Sequence, residues 1–356
     1  MKMHIREYNS SIDRNLKLTA EFHVPSSPKP LCLFFHGWHM TAASSRKAGS
    51  IQPLLEDFFL VNVDMRGRGG SSGKPDASGH ELIDGLDALA YAEGKWKEKV
   101  SGEAVFAVGG SGGGGNVLAL SGKAPDLFSA AVSWAGMSDY AAWYRGDMKG
   151  RYRDEMEEKG WIGGSPDTNP GGYLSRSGIA LVGNVFTKLF LIHGRKDAAV
   201  PVASAEMYEA RAKELGKGNI SVHYNDMGHS SMEWRLALAH LKENKSLPRI
   251  PGKGRLLVHS FLALRSFWLV LGEPSEMGYA DYTLDGRGNL ESLSFQRTSP
   301  AGKEKSCLLR LLSPGGSVVV EDEKGKKREA SLISPGKNYR DFLFRGEGSF
   351  HVQVFT

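Results

Sequence analysis

Ala104-Val105-Phe106-Ala107-Val108-Gly109-Gly110-Ser111-Gly112-Gly113 is the stretch whose reading decides the fold. An apolar run of strand character leads directly into a serine set among glycines, and a helix is expected over residues 113–123. A serine hydroxyl is a weak nucleophile unless it is exposed, strained and next to a base. A tight strand-to-helix turn supplies the exposure and the strain. Glycines two residues before and after Ser111 let the backbone make that turn without clashes. The same turn gathers backbone N–H groups at a helix N-terminus, where they can receive an oxyanion. The competing reading is a glycine-rich phosphate loop. No lysine follows in the place a Walker-type loop requires. A dinucleotide fingerprint would need its glycines at the first strand–helix turn of a unit, with an acid about 20 residues on.

Working outward, Leu191-Ile192-His193-Gly194-Arg195-Lys196-Asp197 places an acid just past a strand end, and Val200-Pro201-Val202 opens the next helix. Met227-Gly228-His229-Ser230 places a histidine in a loop after the following strand. Ser111, Asp197 and His229 thus occur in the chain order that a serine on such an elbow uses. Among the other histidines, His36 and His193 end strands beside glycine and read as structural. His4, His23, His80 and His351 lie too far from the expected edge, and His240 and His259 read as helix-face positions. His39 is the one rival base. Upstream, His36-Gly37-Trp38 offers a second oxyanion donor, so the amides of Trp38 and Gly112 are the expected pair.

Strands are expected at residues 3–8, 15–24, 31–35, 58–64, 104–108, 129–134, 187–193 and 220–225, and helices at 81–100, 113–123 and 202–215. This alternation calls for right-handed βαβ units in a mostly parallel sheet covered on both faces. Residues 137–186 break the rhythm and read as a cap inserted over the C-terminal edge of the sheet. Trp134, Tyr140, Trp143, Tyr144, Trp161 and Tyr173 cluster in or beside it. We expect Trp134, Tyr140, Trp143, Tyr144 and Trp161 to line an acyl or aromatic pocket, against the alternative that they form the cap's own core. Arg145, Arg151 and Arg153 read as an exposed helix face, or as an attraction for an anionic substrate. Asp64 and Arg66 read as braces for the loop beneath the site.

Helices at about 231–244 and 254–271 are expected to close a catalytic domain spanning 1–272. From 276 to 356 the texture changes to short alternating segments punctuated by Asp285-Gly286, Pro314-Gly315-Gly316 and Pro335-Gly336. This is the pattern of a small β-sandwich or barrel. It could serve as a homo-oligomer or glycan contact. The net charge of +5 over 356 residues is a weak bias. The basic cluster Lys324, Lys326, Lys327 and Arg328 is flanked by acids, so nucleic acid is not expected as a partner. Two distant cysteines, Cys32 and Cys307, make no disulfide framework and fit a reducing compartment. No signal peptide or membrane-spanning run is recognised, so the expected location is the cytoplasm, without membrane attachment.

Residues 15 to about 245 resemble the α/β-hydrolase superfamily and, within it, the catalytic module of the prolyl-oligopeptidase-like (S9-like) hydrolases. The resemblance rests on five pieces in the family's order. They are Phe35-His36-Gly37, Asp64-Met65-Arg66-Gly67-Arg68-Gly69-Gly70-Ser71, the Ser111 elbow, His193-Gly194-Arg195-Lys196-Asp197 with Val200-Pro201, and Gly228-His229. It implies a covalent acyl-enzyme mechanism without metal or organic cofactor. The oligopeptidases of that group carry an N-terminal β-propeller, and the expectation here is a hydrolase unit without one. The leading expectation is therefore a carboxylesterase acting on a small-molecule ester, and the alternative is an S9-like peptidase or amidase of short peptides. A serine at the elbow argues against the branches of the superfamily that place an aspartate there.

Overall fold

The computed structural model describes residues 1–147, 149–298, 305–312, 317–335, 339–346 and 348–355. Among them the chain forms two sheets, and the first carries the candidate site. It has eight strands: β1 Lys2–Asn9, β2 Lys17–Val24, β3 Lys29–Phe35, β4 Phe59–Val63, β5 Val100–Gly110, β6 Ala130–Trp134, β7 Lys188–Gly194 and β8 Ile220–Asn225. Their order is β1-β2-β4-β3-β5-β6-β7-β8. β2 runs antiparallel to both β1 and β4, and the remaining neighbours, from β4 across to β8, pair in parallel.

Strands buried on both faces need two apolar layers. In β3, Leu31, Leu33 and Phe35 join one core, while Cys32 and Phe34 join the other. The first core is covered by helices α2 Leu82–Lys95, α3 Gly112–Lys123 and α7 Ala203–Glu214, which follow the short helix α1 Ala42–Lys47. The second is covered by α8 Trp234–Glu243, through Ala237 and Leu241. Between β6 and β7 the expected cap is present as α4 Tyr140–Gly146, α5 Arg151–Met156 and α6 Pro170–Arg176, followed by a 3₁₀ turn at Gly178–Asn184.

The expected helix over 254–271 is not there. Those residues form β9 Lys253–His259, β10 Phe261–Ala263 and β11 Phe267–Val270. A continuous apolar run fits a helix and a buried strand equally well in a short window. Tertiary pairing decided it, with β9 against β12 Met277–Leu284 and β11 against β14 Lys305–Leu311. The left-handed backbone at Ser260, φ 61°, lets the chain turn from β9 to β10. The second sheet therefore takes three strands from before the boundary drawn at 272–276.

The remaining strands are β13 Leu290–Arg297, β15 Ser317–Asp322, β16 Lys327–Glu329, β17 Ser331–Pro335, β18 Arg340–Gly346 and β19 Phe350–Phe355. The eleven strands are antiparallel throughout, in the order β16-β15-β19-β13-β12-β9-β10-β11-β14-β18-β17. The two edge strands, β16 and β17, are separated in the chain by Ala330 alone. Neighbouring strands lie about 4.8 Å apart, so a flat sheet of this width could not bring its edges within one residue of each other. The sheet curls, and encloses Leu256, Val258, Leu293, Phe295, Val318, Val352 and their neighbours as one core. The turns expected at Pro314-Gly315-Gly316 and Gly336 lie outside the described residues.

The two sheets share a seam. Phe261, Ala263 and Val270 pack into the core beneath α2 and α3. The buried Lys123, last residue of α3, donates its ammonium to Ser260 Oγ at 2.7 Å and to the His259 carbonyl. Among the described residues, no helix is long and apolar enough to cross a membrane.

Candidate active site

Parallel strands deliver their C-terminal ends to one edge, and the order of this sheet reverses between β3 and β5. Loops leave β3 and β5 in opposite directions there and open a crevice. Ser111 stands at the end of β5, at φ 55° and ψ −120°. For a residue with a Cβ this is strained backbone. Its neighbours hold it. The Ser111 amide donates to the Trp134 carbonyl at 2.9 Å, and its own carbonyl accepts from Gly115 N at 3.0 Å. The flanking glycines allow close approach. A methyl group on Gly113 would run into the Phe35 carbonyl, and one on Gly112 would stand 2.6 Å from the Trp38 amide nitrogen. The two expected oxyanion donors, Trp38 and Gly112, are thus neighbours on opposite sides of the crevice.

Asp197 follows β7 and is buried. Its Oδ1 accepts from the amides of Ala199 and Val200, both at 2.9 Å. Its Oδ2 lies 2.8 Å from His229 Nδ1. Burial works to raise the Asp197 carboxyl, but the hydrogen bonds from His229 and the two amides outweigh it and hold the group below the usual carboxylate range. An ionised Asp197 keeps the proton on Nδ1 of His229 and leaves Nε2 free as a base. The His229 loop lies directly on the end of β7, since a methyl group on Gly194 would stand 2.6 Å from the Gly228 carbonyl. His193 also points to this corner, where its Nε2–H donates to the Val200 carbonyl at 2.9 Å.

His39, the rival base, is committed elsewhere. Its Nε2–H donates to Glu155 of α5 at 2.8 Å, and its ring stacks on Tyr152. Glu155 also accepts from Trp38 Nε1 at 2.7 Å, which ties the loop after β3 to the cap. His36 is buried, with Nδ1–H donating to the Gly37 carbonyl at 2.9 Å and Nε2 accepting from Met65 N at 3.2 Å. Burial holds its pKa down at about 4, so it stays neutral and structural. His259 lies on β9 rather than on a helix face.

Of the five aromatic residues expected in a pocket, Trp161 lines a cavity beside Gly112 and Trp38. Tyr140 and Trp143 are buried in the cap's own core with Met137, Met156 and Tyr173. Tyr144 packs edge-on to Tyr173. Trp134 sets its ring against Phe34 and Trp234 in the core beneath α8. A cap of three short helices needs aromatic bulk to hold together, and that requirement took most of these side chains. Arg145 is an exposed partner of Asp167 at 2.8 Å, Arg151 is exposed beside His39, and Arg153 lies over the Tyr144 ring. Asp64 and Arg66 brace loops as expected. Asp64 accepts from the amides of Ala42 and Gly70, and Arg66 is held by Asp84 at 2.6 Å.

Sequence reasoning missed Arg68, Glu81, Asn116 and Arg176, which line the same cavity as Trp161. No pattern in the sequence joins them, because they come from a loop, the start of α2, α3 and the cap. Among the described residues, no group of three or more histidine, cysteine or carboxylate side chains is arranged to hold a metal ion.

Residues 48–244, more than half of the chain, match the model of the prolyl oligopeptidase family. Comparison with curated proteins gives no match. The Pyrococcus furiosus esterase Pf2001 is similar in structure, with a TM-score of 0.54 and 18% identity over 69% of this chain and 92% of that one. The Pyrococcus horikoshii acylaminoacyl peptidase is similar with a TM-score of 0.57 and 21% identity over 70% of this chain, which spans 43% of the peptidase. With the α/β-hydrolase strand order and the serine elbow already described, the match identifies the chain as a hydrolase of the prolyl oligopeptidase family.

Proposed function

We propose that this protein is a serine carboxylesterase in which Ser111, His229 and Asp197 form the catalytic triad. The observation that carries the reading is the bond between Asp197 and Nδ1 of His229, made at the same sheet edge as the strained Ser111. Ser111 Oγ attacks the ester carbonyl and gives its proton to Nε2 of His229. Asp197 holds the imidazole in the required tautomer and stabilises the imidazolium. The amides of Gly112 and Trp38 receive the charge that develops on the carbonyl oxygen. The imidazolium then protonates the departing alkoxide. Water activated by His229 releases the acyl group from Ser111.

The likeness to the esterase Pf2001 supports the ester reading. Family membership supports the second reading, cleavage of short peptides. We also propose a cytoplasmic location, supported by the two buried, unpaired cysteines Cys32 and Cys307.

The test is hydrolysis of p-nitrophenyl esters of two to twelve acyl carbons beside aminoacyl p-nitroanilides, with Ser111→Ala as control. Ester turnover that disappears in the variant is the expected result. Anilide turnover with little ester turnover would replace this reading with the peptidase. Full activity in Ser111→Ala would overturn the triad.

A further inference from the structure

Three arginines and two acids, Asp76 and Glu81, line the cavity beside the oxyanion amides, and the chemistry above leaves them unused. Arg66, Arg68 and Arg176 line it, together with Trp38, Gly112 and Trp161. Its volume of about 30 Å³ gives room for a small polar group.

The three arginines differ in what balances them. Arg66 is matched by Asp84 at 2.6 Å and by Asp76, which also lines the cavity, at 3.5 Å. Arg176 is 2% exposed. Its Nε lies 2.6 Å from Glu81 Oε1 and its Nη2 donates to Asn116 Oδ1, while its Nη1 has no hydrogen-bond partner. Burial pushes the Glu81 carboxyl up to about 7, against the pull of Arg176. Arg68 lies 4.3 Å over the Trp161 ring, and the ion pairs among the described residues give it no partner. Glu155 is the acid that acts on it. That carboxylate already accepts from Trp38 Nε1 and His39 Nε2 and faces Lys159 at 3.7 Å. Burial accordingly lowers the Arg68 guanidinium below its ordinary range.

A half-buried guanidinium without a counterion, and a buried N–H without an acceptor, both cost free energy until something anionic arrives. A planar fork of donors fits a carboxylate bidentately. Resting on the proposed esterase reading, we propose that this cavity is a subsite for a carboxylate carried by the substrate, and that the ester cleaved is a half-ester of a short dicarboxylic acid. The scissile carbonyl sits against the amides of Trp38 and Gly112. The free carboxylate reaches past them to Arg68, with the buried Arg176 beside it.

Arg68 carries the test, because loss of Arg176 would strand the buried Glu81 and could prevent folding. Glutarate and its neutral analogue glutaramide are titrated calorimetrically into the full-length Ser111→Ala protein. Glutarate is expected to bind at least on the order of tenfold more tightly than glutaramide, and Arg68→Gln, made in the same background, to remove most of that difference. Equal binding of the two probes, absence of binding, or glutarate binding unchanged by Arg68→Gln would overturn the subsite. In parallel, kcat/KM for monomethyl glutarate is divided by that for methyl valerate on each active protein, so a general loss of activity cancels. The ratio is expected to exceed ten in the native protein and to fall towards one in Arg68→Gln. Ser111-dependent hydrolysis of methyl valerate with no preference for the half-ester would overturn the subsite and leave the esterase standing. Arg68-dependent glutarate binding with neither ester hydrolysed would overturn the esterase and keep the subsite.

Discussion

In the eight-stranded sheet the strands from β4 across to β8 run parallel and all but the edge strand β8 are largely buried, whereas the eleven-stranded sheet is antiparallel and alternates buried with exposed positions. The first sheet gathers loop after loop at one edge, and Ser111, Asp197, His229 and Trp38 all stand there. The second curls around an apolar core, and none of these four residues lies on it. Parallel connection concentrates chemistry, while antiparallel connection spreads the loops over both ends and is suited to support. The difference predicts that damage to the first sheet's edge is read in turnover and damage to the second is read in stability.

The strongest way to break that comparison is Asp197→Asn. The carboxamide would favour the wrong tautomer of His229, and kcat should fall by about 10³–10⁴ with the melting temperature little changed. Retained turnover would show that Asp197 does not orient the base. Next is Gly112→Ala, whose methyl group would press on the Trp38 amide and spread the two oxyanion donors. A loss of about 10²–10³ in kcat is expected, with a smaller effect on KM.

In the other sheet, Val352 is fully buried on β19. Val352→Ala should cost about 2 kcal/mol in chemical denaturation, from lost apolar burial and the cavity left behind, while kcat stays at the native value. A fall in kcat would mean that the two sheets are not separable in this way.

The smallest effect concerns the seam. Burial holds the pKa of His80 and of His259 at about 4, and the nearby Lys123 adds to the lowering of both. Folded values below the unfolded value of about 6.5 mean that the native state excludes protons that the unfolded chain accepts. The stability due to this is full above pH 6.5 and is lost as the pH falls towards 4. Each histidine contributes a slope of about 1.4 kcal/mol per pH unit in that window. His259→Gln should flatten the dependence of stability on pH between 6 and 4.5 by one such increment. An unchanged slope would remove His259 from the acid sensitivity of the seam.

Much of the first sheet was legible because its signals are local. The serine elbow needs its glycines at fixed positions, since Phe35 and Trp38 press on Gly113 and Gly112. Asp197 and His229 follow strand ends whose apolar runs are unmistakable. The second sheet was legible where segments alternate, from Met277 onward, and illegible over 254–271, where an apolar run hides two turns. The cap was legible as an insertion but not as a lining, because nothing local tells a core tryptophan from a pocket tryptophan.

The sequence by itself determined the α/β-hydrolase class, the placing of Ser111, Asp197 and His229 just past strand ends, and the presence of a second β region. Those depend on short-range patterns, in which a residue's neighbours in the chain dictate its conformation. Only the tertiary structure decided which strands pair across 253–270, that His39 belongs to Glu155, and that Arg68 and Arg176 converge on one cavity beside Trp38. Those are contacts between residues far apart in the chain, and their energies depend on burial and on partners that no local window contains.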